Sequence, residues 1–177
     1  DFEDRLSGRY RTLEYCVQYR ETDFNFVSRL MEQEGIYYYF RHEENKHTLV
    51  LADSAAAHEP IGGYETIPYR PHTTSLREEE YVSKWVVEQN VQPGAYAHTD
   101  FDFKSPRKPM LAASKSTHRH PVSGSEIYDY PGKYVEVGDG EAYARRRIEE
   151  LHAQHEVATG EGEVRGVAVG HTFTLTG

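Results

Sequence analysis

The chain has 177 residues, enough for one sizeable core or two small ones. Its 37% hydrophobic and 28% charged residues, with 14 Tyr against 7 Phe and one Trp, are a globular composition, too apolar and aromatic for a disordered chain. A formal charge of −9 argues against general binding to nucleic acid, where phosphate contacts need Lys and Arg, and against an anionic membrane surface.

The first element in chain order is a short strand expected over residues 15–19. Thr22 is a plausible N-cap for a helix through Glu34, with Phe26, Val27, Leu30 and Met31 at helical spacing on its apolar face. Gly35 suits the left-handed C′ position that ends such a helix. Ile36-Tyr37-Tyr38-Tyr39-Phe40 and Thr48-Leu49-Val50-Leu51 predict a β-hairpin, turning through Glu43-Glu44-Asn45-Lys46. Residues 53–70 read as loop.

A second hairpin is predicted around Pro93-Gly94. Tyr81, Trp85, Val87 and Val91 share one strand phase, Lys84, Glu88 and Asn90 take the other, and Val82 and Val86 break the pattern. The return strand places Ala97, Phe101 and Phe103 on one face and His98, Asp100 and Asp102 on the wet one. Trp85 is therefore expected in the core.

Residues 105–134 carry four prolines and read as an excursion from the fold. Within residues 104–125 stand five Lys/Arg and no Asp or Glu, a pattern that reads first as a solvated loop. A second helix is expected over about 139–155, with Ala144, Ile148 and Leu151 as its stripe and Glu141 with Arg145 as an i,i+4 pair. Two last strands are expected at about 164–169 and 171–175. Both ends look cut, since the chain starts at Asp1 and stops just after a strand-like run, so the reading is of a piece of something longer. Apolar runs of membrane-spanning length and a signal-peptide pattern are both missing.

The search for chemistry comes back nearly empty. Ten histidines invite a metal hypothesis. His118-Arg119-His120 would point both rings one way on a strand, and His152 and His155 stand at i,i+3 on a helix. The order H-x-x-H-E matches neither H-E-x-x-H nor H-x-x-E-H, and the helix dipole favours histidines at that end without a metal. Asp100 and Asp102 face one way on a strand, where their ordinary role is to be its wet side. Ser123-Gly124-Ser125 lies in a loop and is no nucleophile elbow. Gly160-Glu161-Gly162-Glu163 is Gly-rich but acidic and precedes a strand, which does not suit a phosphate. Cys16, the single cysteine, excludes an internal disulfide and is expected to be a buried, inert thiol. No catalytic residue, no metal ligand and no cofactor-binding residue is assigned.

The run Tyr15-Cys16-Val17-Gln18-Tyr19-Arg20-Glu21-Thr22-Asp23-Phe24-Asn25-Phe26 resembles a hallmark segment of the VgrG (Rhs-element Vgr) family. It continues through Arg29-Leu30-Met31-Glu32-Gln33-Glu34-Gly35-Ile36-Tyr37-Tyr38-Tyr39-Phe40 and then 46–54. Trp85, Pro93-Gly94, Asp100-Phe101-Asp102-Phe103, Tyr128-Asp129-Tyr130-Pro131-Gly132 and the ending from Gly170 to Gly177 resemble further landmarks, with Val169 where the family tends to carry Pro. The likeness thins over 55–79 and 105–125.

The resemblance implies a mainly β (α+β) fold: an antiparallel β-barrel of the phage tail hub type, a helix-and-hairpin unit, and a helical excursion. The domains would be 1–77, the helix-and-hairpin unit, and 78–177, a second hub barrel interrupted at about 105–160. It also implies a structural role and no enzyme. The protein would be a homotrimeric spike hub of a type VI secretion machine, made in the bacterial cytoplasm. It would cap the Hcp tube ring, carry a C-terminal needle with its tip protein or effectors, and be fired out with the tube. Neither nucleic acid nor a small-molecule substrate is expected. The alternatives are a metal-dependent hydrolase using the histidine clusters and a carbohydrate-binding β module using exposed Tyr and Trp85.

Overall fold

The computed structural model describes residues 1–71, 79–117 and 123–177. The chain divides into two compact units, residues 1–86 with 159–177 and residues 87–158. The expected boundary at 77/78 falls outside the described residues, and so does His118-Arg119-His120.

In the first unit, β1 (Phe2–Arg5), β2 (Tyr37–Glu43) and β3 (Lys46–Ala52) form a sheet in the order β1-β3-β2. The predicted hairpin is present: Tyr37 pairs with Ala52 and Glu43 with Lys46, across a turn at Glu44 and Asn45. Alternation decides which side is buried. Tyr39, Val50 and Ala52, joined by Ala57, form the core on one face. The predicted helix is present as α1 (Asp23–Glu34). Thr22 Oγ1 accepts from the Asn25 amide, and Gly35 sits at φ 72°, in the left-handed region that glycine occupies at no steric cost. Its apolar face, however, is only half covered: α1 has no fully buried residue, and Val27 is exposed.

Residues 53–70 are not the plain loop expected. They hold β4 (Glu59–Pro60) and β5 (Thr66–Pro68), after a 3-10 turn at Ala55–Ala57. Each is completed by a strand from the far end of the chain: β11 (His171–Thr172) lies parallel to β4, and β12 (Thr174–Thr176) lies parallel to β5. Ile67, 2% exposed, is buried by this pairing. The strand expected at 171–175 is thus present in two pieces, whereas 164–169 is not a strand.

The second hairpin is not formed. β6 (Val82–Gln89) pairs with β10 (Glu156–Gly162). Hydrogen bonds from Glu163 N to Tyr81 O (3.0 Å) and from Asn90 N to His155 O (2.7 Å) make that ribbon antiparallel. β7 (Ala95–His98) instead lies between β8 (Ala112–Lys115, antiparallel) and β9 (Glu126–Asp129, parallel). The physical reason is visible at Gly94 and Ala95, whose amides both donate to Ser125 O at 3.0 and 3.1 Å. A period of two identifies a strand but does not choose its partner.

β7 ends at His98, so Phe101 and Phe103 are exposed, while His98, placed on the wet face, is buried. Val82, an exception to the pattern, is buried, and Val87 and Val91 are exposed. Trp85 is half-buried, meeting Phe173 edge-on at 6.3 Å and covering Gly160. The stretch 105–134 is no mere excursion, because Met110, Ala112 and Tyr134 are core residues of the second unit.

The predicted second helix is α2 (Val137–His152). Ala144 and Ile148 are buried against Tyr96, with Leu151 partly buried beside them. Gly140 is required by a close approach, since a Cβ there would lie 2.5 Å from the Tyr134 ring. Arg147 pairs with Glu150 at 2.7 Å. Among the described residues the strands form separate two- and three-stranded sheets and no closed barrel. No helix is long and apolar enough to cross a membrane.

Candidate assembly surface

The outer face of the β1-β3-β2 sheet follows from its register. Phe2, Leu49 and Phe40 stand side by side across the three strands, and Asp4, Leu51 and Tyr38 form the next row. Phe2 is 72% and Phe40 47% exposed. Phe24 of α1, Tyr38, Phe40 and His42 make a line of neighbouring rings with centroids 6.2, 6.0 and 6.2 Å apart. Such edge-to-face pairs are favourable, yet they leave most of the ring surface in water.

The segment before α1 carries further exposed aromatics. Residues 15–19 are irregular and not the strand expected, because nothing pairs them into a sheet. Tyr15 is 85% and Tyr19 71% exposed, and Cys16 is exposed and not buried. The segment is nevertheless held in place. Arg29 makes a forked pair with Glu21 at 2.7–3.0 Å and donates to Val17 O at 2.9 Å, while Gln18 donates to Asp23 at 2.7 Å. The forked pair holds the Glu21 carboxyl below its ordinary range. The result is an ordered backbone that carries bare aromatics.

The residues weighed for chemistry are each held by hydrogen bonds within the fold. His152 Nε2 donates to Pro93 O at 2.9 Å and His155 Nδ1 to Asn90 O at 2.8 Å. His58, His98 and His171 do the same toward Gly170, Gly140 and Glu59 carbonyls at 2.7–2.9 Å. A carbonyl only accepts, so the ring nitrogen facing it carries the proton, and the tautomer of each ring is fixed by that bond. His152 and His155 are thus pinned across the chain and are not merely solvated at a helix end. Among the described residues no three His, Cys, Asp or Glu converge on a metal-sized point.

Asp100 accepts from the Phe101 and Lys133 amides at 2.7 and 2.6 Å, and Asp102 from the Lys104 amide at 2.9 Å. They fasten turns and do not share a strand face. Ser123 and Gly124 form a turn, and Gly160 and Gly162 lie within β10, against Trp85 and Tyr81.

Sequence reasoning missed Asp53. Its carboxylate accepts from the Ser7 amide and hydroxyl, the Gly8 amide and Tyr10 Oη, all at 2.7–3.0 Å. Burial pushes this carboxyl up, but the hydrogen bonds outweigh it and hold Asp53 well below the usual carboxylate range. No local signal marks it, because its donors lie some 45 residues away.

All 177 residues match the phage tail baseplate hub (GPD) family. The chain belongs to that family. This hub chain is 50% identical over its whole length to the type VI secretion system spike protein VgrG1a of Pseudomonas aeruginosa, and 49% identical to VgrG1b of the same organism. It spans about a quarter of their length, 28% and 24%. The fold of the E. coli c3393 protein is also similar: TM-score 0.62 at 18% identity, covering all of the hub chain and 34% of that chain. The c3393 protein is a type VI secretion component with structural similarity to the T4 bacteriophage tail proteins gp27 and gp5. Several exposed aromatics of the hub chain, Tyr15, Tyr19, Phe24 and Phe40, fall within the hallmark run 15–40.

Proposed function

We propose that the chain is the hub segment of a type VI secretion spike of the VgrG type, with a structural role and no reaction of its own. The observation that carries this reading is an ordered run, 15–40, that leaves Tyr15, Tyr19, Phe24 and Phe40 in solvent, in a chain half identical to VgrG1a. Side chains held out by a fixed backbone stabilise nothing in the free chain and gain only when another surface covers them. Three copies of the full-length protein would provide that cover. Together they would cap the Hcp tube ring, bear the needle with its tip protein or effectors, and leave the cell through the secretion system with the tube.

Light scattering on the full-length protein, with co-sedimentation against assembled tube rings, tests the reading. A trimer that pellets with the rings is expected. A full-length protein that stays monomeric or remains in the supernatant overturns the hub assignment.

A further inference from the structure

The hairpin β2–β3 brings together two histidines that the sequence keeps five positions apart. Register pairs His42 directly with His47, one step from the turn. Their rings lie 4.9 Å apart at 70°, and the two Nδ1 atoms are 2.8 Å from each other. Both side chains are exposed. They differ from His58, His98, His152, His155 and His171, each of which has a ring N–H committed to a carbonyl. The ring hydrogen bond of His42 and His47 is to each other, and it uses a proton that a metal ion can replace.

We propose that His42 and His47 form a two-histidine chelate for a divalent transition metal with ligands at right angles, Cu²⁺ first and Ni²⁺ second. Spacing selects the ion. With metal–nitrogen bonds of about 2.05 Å, two ligands at 90° stand about 2.9 Å apart, whereas tetrahedral zinc sets them about 3.3 Å apart. The 2.8 Å contact, an ordinary hydrogen-bond length, lies nearer the right-angle spacing than the tetrahedral one. Imidazole nitrogen in tetragonal geometry suits Cu²⁺ and Ni²⁺, and Cu²⁺ heads the affinity series. The antiparallel ladder carrying both residues holds their Cα atoms in place, so a small rotation of each ring aims both lone pairs at one point. Water completes the coordination, since among the described residues no third ligand converges there. Binding moves the shared proton from Nδ1 to Nε2 of the same ring by exchange through solvent, so both rings stay neutral, no proton is lost overall and no oxidation state changes.

The test is titration of the chain with CuCl₂, its α-amine acetylated to remove a competing ligand and its exposed Cys16 alkylated to keep the thiol from reducing Cu²⁺, read by calorimetry and electron paramagnetic resonance. One equivalent bound with hyperfine splitting from two imidazole nitrogens is expected. His42→Gln and His47→Gln should each weaken binding at least tenfold and reduce the splitting to one nitrogen. His155→Gln, a control at the other close histidine pair, should leave both readings unchanged. The variants lie at an exposed tip, and an unchanged thermal midpoint without metal will show that they fold. Undiminished binding in either tip variant, an equal loss in His155→Gln, or tighter binding of Zn²⁺ than of Ni²⁺ overturns the proposal.

Discussion

Asp53 gathers the amino-terminal strand onto the hairpin through a single carboxylate. Asp53→Asn keeps one acceptor oxygen and turns the other into an amide nitrogen that cannot accept, so some of the bonds from Ser7, Gly8 and Tyr10 are lost; these donors are exposed or only partly buried, and the cost is about 1 kcal/mol. Asp53→Asn should therefore lower the urea midpoint at pH 7. The pH dependence follows from the lowered pKa. The folded carboxyl stays charged where the unfolded one, near pH 4, takes up a proton. Its contribution is complete above that value and is lost as pH falls toward the folded pKa. The gap between wild type and Asp53→Asn should be widest at neutral pH and narrow below pH 4; a gap that widened with acid would contradict the assignment. Trp85 carries a second expectation at this scale. Full burial would make Trp85→Ala cost about 3–5 kcal/mol, but a half-buried ring resting on Gly160 and Phe173 should cost about 2. A thermal midpoint unchanged by the substitution would remove it from the core altogether.

α1 and α2 are stabilised by different means. α2 buries Gly140, Tyr143, Ala144 and Ile148, so packing holds it. α1 buries no residue fully and relies on its ends, the Thr22 cap and the left-handed Gly35. Thr22→Ala should remove about 1 kcal/mol from α1. Amide exchange within 23–34 should speed up several-fold while the global thermal midpoint hardly moves, as expected of an element that opens locally. In α2 the intuition about helix propensity reverses. Gly140→Ala should gain about 1 kcal/mol from propensity alone, yet its methyl meets the Tyr134 ring, so a net loss is expected in thermal unfolding.

At the scale of the molecule, the proposed hub role would have a neighbour cover the outer face of the first sheet. Phe40→Glu places a charge in the middle of the aromatic row without touching the core at Tyr39 and Val50. In the isolated chain it should change the unfolding free energy by no more than about 0.5 kcal/mol. In the full-length protein it should weaken the trimer, because burying an unpaired carboxylate in an apolar contact is costly. Analytical ultracentrifugation of both forms separates the two effects. The isolated chain is expected to be monomeric or weakly associating at micromolar concentration, since the avidity of the whole spike is lost with the remainder of the protein.

Much of this protein is readable from local pattern. α1 with both caps, the β2–β3 hairpin with its turn, and α2 with its buried stripe are set by residues within a few positions of one another. The hallmark run 15–40 likewise pointed to the hub family from sequence alone. What needed the tertiary structure was every choice between distant partners. β6 takes β10, β4 and β5 take the last strands of the chain, and β7 is enclosed by β8 and β9. Alternation in β6 and β7 is compatible with several neighbours, and the nearest in sequence was the wrong one. The exposed aromatics show the same limit from the other side. An apolar residue in a periodic pattern predicts that something will cover it, but whether that cover is the chain's own core or another molecule is settled only by where the rest of the chain goes.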